Sequence, residues 1–183
     1  PPSGRDVTDL LAYVDESARP GRYLLAAVIV DRHAAGSLRR QVRKLLLPGQ
    51  RRLHFKTEGV RRRRELIESI GGLDVEAIVY SCRLSNDVRA EGARATCLMA
   101  LVRELQRRRC EAKVYIESRE RLDGRDGDTI RRSRQPEPLL SFQHLLPDHD
   151  PLLWLPDSFA WSVGAGGDWL RRIGPLVTVI GVG

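Results

Sequence analysis

Lysine is almost missing from this chain. Only Lys44, Lys56 and Lys113 stand among 31 basic residues, so arginine carries the positive charge. Aromatic residues make up 5% of the 183 residues, too few for a platform on which successive bases of a single strand stack. Cysteine is equally sparse. Cys82, Cys97 and Cys110 lie far apart in mainly apolar segments, which excludes a zinc motif or a disulfide framework and reads as plain buried thiols. No apolar run approaches the roughly 20 residues of a membrane span. The opening, Pro1 to Asp9, has neither the apolar stretch nor the cleavage pattern of a signal peptide. A cytoplasmic protein is the expectation.

What is present suits a folded core. The chain is 42% hydrophobic and 30% charged, and its length suits a single domain over residues 1–183. The net charge of +7 allows nucleic acid as a partner through phosphate neutralisation. The same excess, written almost wholly in Arg in a chain rich in Ala, Gly and Leu, also reads as the codon bias of a high-GC genome. Both readings stay open.

Apolar runs at Leu10–Asp15 and Tyr23–Asp31 read as strands joined by the turn Ser17–Gly21, a hairpin. Ser37 to Leu47 reads as a helix capped by Ser37. Arg51 to Lys56 (RRLHFK) reads as a short third strand, and Val60 to Ile70 as a helix ending at Gly71-Gly72. Val75 to Leu84 is then a fourth strand. A long helix capped by Asn86 or Asp87 follows to about Arg109, and Ala112 to Glu117 is a fifth strand. Residues 118–138 read as a polar insertion with at most a short helix over Asp128–Ser133. Leu139–Leu146 and Leu176–Val182 are further strand candidates, and Pro151–Val163 is helical. A hairpin followed by strand–helix–strand units predicts an α/β fold, a mixed sheet of five or more strands flanked by helices.

The carboxylates fall where such a sheet places ligands. Tyr13-Val14-Asp15 ends the first strand and Tyr115-Ile116-Glu117 the fifth. Side chains alternate along a strand, so each acid shares its tyrosine's face. If the two strands are parallel and central, both acids stand at one edge of the sheet. A third acid, Asp157, sits among Trp154, Leu155, Phe159 and Trp161. A carboxylate in so apolar a setting is costly unless paired or bound to metal; it also fits a first-turn helix acid beside Pro156. Three converging carboxylates repel one another, and a divalent ion with oxygen ligands, Mg²⁺ or Mn²⁺, relieves that repulsion. Two such ions can clamp a phosphodiester during cleavage.

The sequence YVDES, then LHFKTE, VYIESR and LWLPDSFAWSV, resembles the bacterial family catalogued as domain of unknown function thirty-eight hundred, and within it an actinobacterial branch. The resemblance covers about Leu10 to Gly164. It implies an RNase H-like or RuvC-like fold with catalytic and metal-binding acids at Asp15, Glu117 and Asp157. The family's Glu before the Leu-His pair is Arg52 here, and Glu58, six residues on at a helix start, is the candidate substitute. RNase H itself carries an acid at the end of strand four, where the strand count above leaves only Cys82 and Arg83.

His54 and Lys56 share one face of their segment; His54 is an acid–base candidate and Lys56 a phosphate contact. Arg119 and Arg125, in a stretch of alternating charge, are further nucleic-acid-binding candidates beside the site. The leading expectation is a Mg²⁺- or Mn²⁺-dependent nuclease with Asp15, Glu117, Asp157, His54 and Glu58 in the catalytic site. An inactive RNase H-like module that binds nucleic acid or protein is the alternative, and a small-molecule phosphoesterase the third.

Overall fold

The computed structural model describes residues 9–183. Residues 1–8, nearly all of the stretch expected to be no signal peptide, lie outside the described residues. A ten-residue strand, β1 (Leu10–Arg19), pairs antiparallel with β2 (Arg22–Asp31) across Pro20-Gly21. Gly21 takes φ +71°, the left-handed conformation a tight turn asks of a glycine after proline. Thus Ser17 to Arg19, read as turn from the sequence, are strand. β2 pairs antiparallel with β3 (Glu76–Arg83). On the other side of β1, β4 (Ala112–Glu117) and β5 (Leu140–Leu145) add in parallel. β6 (Val177–Val182) lies parallel to β3, giving the order β5-β4-β1-β2-β3-β6.

Strand alternation divides the core between two faces. Leu11, Tyr13, Leu24, Ala26, Val28 and Val79 face one layer, made by α1 (Ala35–Arg43), α2 (Val60–Gly71) and α5 (Trp154–Ala165). Ala12, Val14, Leu25, Ala27, Ile78 and Tyr80 face the other, made by α3 (Ala90–Arg107) and α4 (Asp123–Ser133). α6 (Gly167–Ile173), which the sequence did not announce, leads from α5 toward β6. Because β2 is covered on both faces, its eight residues Tyr23–Val30 are all buried, which explains its unbroken apolar run.

Several expectations need correction. Arg51 to Lys56 is no strand. It is extended chain running into a 3₁₀ turn at Phe55–Thr57, because β3 occupies the position beside β2. Val75–Leu84 is therefore the third strand, and the fourth is β4, which ends on Glu117. The fourth strand thus ends on an acid and not on Cys82 and Arg83. Ser37 lies inside α1, whose cap is Ala34, and α3 begins after Arg89, not at Asn86 or Asp87; neither cap residue makes a side-chain bond. Within residues 118–138, α4 begins at Asp123 and packs on α3. Among the described residues, no helix is long and apolar enough to cross a membrane.

Candidate active site

The parallel register of β1 and β4 builds the site. Tyr13 lies opposite Tyr115 and Val14 opposite Ile116; the next step along both strands brings Asp15 beside Glu117. The two tyrosines stack with centroids 5.1 Å apart and planes 20° from parallel. Beneath them the Tyr13 hydroxyl donates to Asp150 Oδ2 at 3.1 Å, and the Arg39 guanidinium forks onto the same carboxylate at 2.8–3.1 Å. This layer, anchored through Tyr13, Arg39 and Asp150, lies on the face from which both acids project.

α5 crosses that face and supplies Asp157 in its first turn. Asp15, Glu117 and Asp157 line one cleft of about 360 Å³, together with His54, Lys56, Arg19 and Trp161. Asp15 Oδ1 accepts from the Glu16 N–H at 2.7 Å, and Asp157 Oδ2 from the Phe55 N–H at 2.7 Å. Each bond leaves the second oxygen of its carboxylate free for other work.

The electrostatics follow from crowding. Burial holds the Asp15 carboxyl well above the usual range, and the charges of Glu117, Glu16 and Asp157 push it further. Glu117 is raised by burial as well; Arg52 opposes the rise, and Glu16 and Asp157 add to it. Asp157 is raised by burial, against the Phe55 N–H bond and the charges of His54, Lys56 and Arg19. The donor set is all carboxylate oxygen, the chemistry of a hard divalent ion. Among the described residues, however, no three His, Cys, Asp or Glu side chains stand close enough together to grip an ion as they are.

The other candidates divide. His54 and Lys56 enter the cleft. Glu58 does not: its Oε1 accepts from Gln50 Nε2 at 2.6 Å, outside the lining. Arg119 and Arg125 belong to the opposite face of the sheet. Arg119 donates to Glu91 Oε1 at 2.8 Å and Asp126 Oδ1 at 3.2 Å, and exposed Arg125 lies 4.0 Å from Glu91. Their place is set by a buried centre between α3 and α4. Arg94, 1% exposed, holds Asp126 through two parallel bonds of 2.8 and 2.7 Å. Its third nitrogen reaches Glu16 Oε2 at 2.6 Å and the Tyr23 hydroxyl at 3.1 Å. Glu16 thus leans toward the other face, as strand alternation requires, while still bordering the acid cleft.

Residues missed from the sequence are Arg19, Arg52 and Trp161. Trp161 stands four residues after Asp157, hence on the same helix face, a spacing that could have flagged it. Arg63 lies 4.2 Å and Arg19 5.6 Å from its ring centroid. Arg52 stands two residues before His54, at a matching position of the extended chain.

Three antiparallel strands followed by parallel strands in crossover, with acids gathered over the neighbouring parallel strands β1 and β4, define an RNase H-like α/β fold. The crystal structure of the ribonuclease H2 from Pyrococcus horikoshii OT3 shares that fold, with a TM-score of 0.57 at 16% identity over 91% of this chain and 75% of that one. No protein-family model matches the chain, and no curated protein matches it.

Proposed function

We propose that this protein is a metal-dependent nuclease, with Asp15, Glu117 and Asp157 as the acids that hold Mg²⁺ or Mn²⁺. The observation that carries the reading is the convergence of three mutually repelling carboxylates from β1, β4 and α5 in one cleft that also presents His54 and Lys56. The chemistry such an ion would supply when bound is neutralisation of charge on phosphodiester oxygens and lowering of the pKa of an attacking water. The chain's own residues do the rest. Lys56 holds phosphate by charge, His54 beside Asp157 carries a proton to or from the reacting oxygens, and the buried tyrosine layer keeps the acids pointed outward. Assignment to the actinobacterial branch of the bacterial family named above belongs with this proposal; its support is the order of the four motifs and the common cleft of the acids within them.

The test is Mn²⁺ titration followed by melting and by cleavage of single-stranded, duplex and hybrid substrates. Metal that binds only the folded state stabilises it by roughly 2.7 kcal/mol at a hundred times the dissociation constant. Asp15→Asn should lose that response and any cleavage. A melting point indifferent to millimolar Mn²⁺ would overturn the reading. The spread of the acids, which do not meet as an ion-gripping set, favours a second reading: a module that binds nucleic acid or protein without cleaving it. Binding that survives chelation, with no cleavage of any substrate, is its signature.

A further inference from the structure

The stretch between α1 and α2 is built as a strap across the acid cleft. Leu53 and Phe55 are buried, 7% and 3% exposed, while Arg51, Arg52 and Lys56 face outward and His54 is half-buried. The backbone is pinned at several points. The Phe55 N–H donates to Asp157, Arg63 Nε donates to the Phe55 carbonyl at 2.8 Å, and Arg63 Nη2 donates to the Lys56 carbonyl at 2.6 Å. Phe55 packs edge-on against Trp161 at 5.4 Å. A strap held this firmly has no need of its charged side chains for folding. Among the described residues, Arg51, Arg52 and Lys56 have no salt-bridge partner within 4.0 Å.

The charges straddle the acids. Lys56 lies in the cleft beside Asp157. Arg52 bears on Glu117 and, with Arg51, lines a neighbouring hollow of about 390 Å³ that runs to Leu146–Asp148 after β5. Arg52 faces the hollow, while His54, at the end of the extended stretch, and Lys56, in the 3₁₀ turn that follows it, face the cleft, so the three groups come one after another along the strap. A small phosphoester fills the cleft alone and needs no cations in the hollow beyond Glu117. A chain of phosphates meets one group after another.

We propose that Arg51–Lys56 is a phosphate track on which Arg52 and Lys56 hold successive phosphates of a polynucleotide strand across the acids, so that the substrate is a polymer and not a small phosphoester. The proposal rests on the nucleic-acid reading of the cleft, but it concerns binding and is tested without metal. The experiment is fluorescence anisotropy with a short labelled single-stranded oligonucleotide in chelator over a range of salt. Each lost phosphate contact should lower the log–log salt slope by about 0.7. Arg52→Gln and Lys56→Gln should each show that drop with weaker binding, Arg52→Lys should restore the slope, and Arg125→Gln, on the far face, should leave it unchanged. A nucleoside monophosphate should compete poorly at equal phosphate concentration. Slopes equal to wild type in both Gln variants, or efficient competition by the monophosphate, would overturn the track.

Melting with Mn²⁺, run in parallel, separates the two readings. A metal response retained while the wild type binds no strand overturns the track and leaves the metal site. Strap variants that lose binding in a protein indifferent to Mn²⁺ support the track and overturn the nuclease.

Discussion

Replacing Asp126 by alanine should leave the Arg94 guanidinium buried without the partner of its two best bonds. The Asp126 side chain is 3% exposed and that of Arg94 1%, so water cannot take over. Breaking a buried pair by removing one partner typically destabilises by about 3–5 kcal/mol. Arg94 keeps Glu16 and Tyr23 on its remaining nitrogen, which places the expectation at the lower end, about 3 kcal/mol. For a chain of this size that is a fall in melting temperature of about 6–12 °C.

The double replacement Arg94→Met with Asp126→Leu removes both charges and restores apolar packing, so it should lose less than Asp126→Ala alone. Acid dependence offers a second readout. Burial acts to raise the Asp126 carboxyl, but its bonds to Arg94 and His144 win and hold it below the usual range. A carboxyl depressed in the folded state contributes stability that is full above its unfolded value, near pH 4, and is lost as pH falls through the folded value. Asp126→Ala should flatten that part of the curve. The assay is urea unfolding at neutral and acid pH. A double variant as destabilised as the sum of the two single variants would refute the reasoning, because the pair would then be two independent contributions.

Asp15→Asn should stabilise the protein without metal at neutral pH. Its carboxyl is raised in the folded state, so the stability it permits is full below the unfolded pKa and falls as pH rises through the folded one; thermal melts at low and neutral pH should show a smaller decline in the variant. Gly164→Ala would put a methyl group 2.5 Å from Arg19 Nε and 3.1 Å from Leu24 Cδ1, so a loss of about 1–3 kcal/mol is expected in urea melts, with altered Trp161 fluorescence as Arg19 is pushed aside. Phe55→Ala should remove about 3–5 kcal/mol by emptying a buried aromatic site and free the strap from Trp161, read as a lower unfolding midpoint; an unchanged midpoint would show that the strap is not anchored there.

The sheet was legible where burial leaves a simple pattern. The apolar run of β2 and the repeated Tyr-x-acid pattern of β1 and β4 came directly from alternation, although β1 runs past Asp15 to Arg19. The closeness of Asp15 and Glu117 followed from putting those patterns on parallel neighbours, whereas Asp157 came from its apolar setting and from the family resemblance. RRLHFK misled for a physical reason: Leu53 and Phe55 alternate with polar residues because they plug the core, and a plug has the period of a strand. Charge could not be assigned to a face. Arg119 lies two residues past Glu117 yet bonds Glu91 and Asp126 behind the sheet. Asp126 looked like one acid among many in a solvated stretch, although Arg94, far away in sequence, makes it part of the core.

The order in which the sheet joins its strands bears on how the protein reaches its folded state. β1 and β2 are neighbours both in sequence and in space, β3 joins β2 after α1 and α2, β4 meets β1 only across the whole of α1 to α3, and α5 comes later still. Contacts that close long loops form more slowly than local ones, and chains are made from the N-terminus. Asp15 is therefore laid down long before Glu117 and Asp157 exist beside it. The repulsion among the three acids enters only when the central meander is in place to bear it, so the least comfortable part of the molecule has little hold over the rate at which the rest folds.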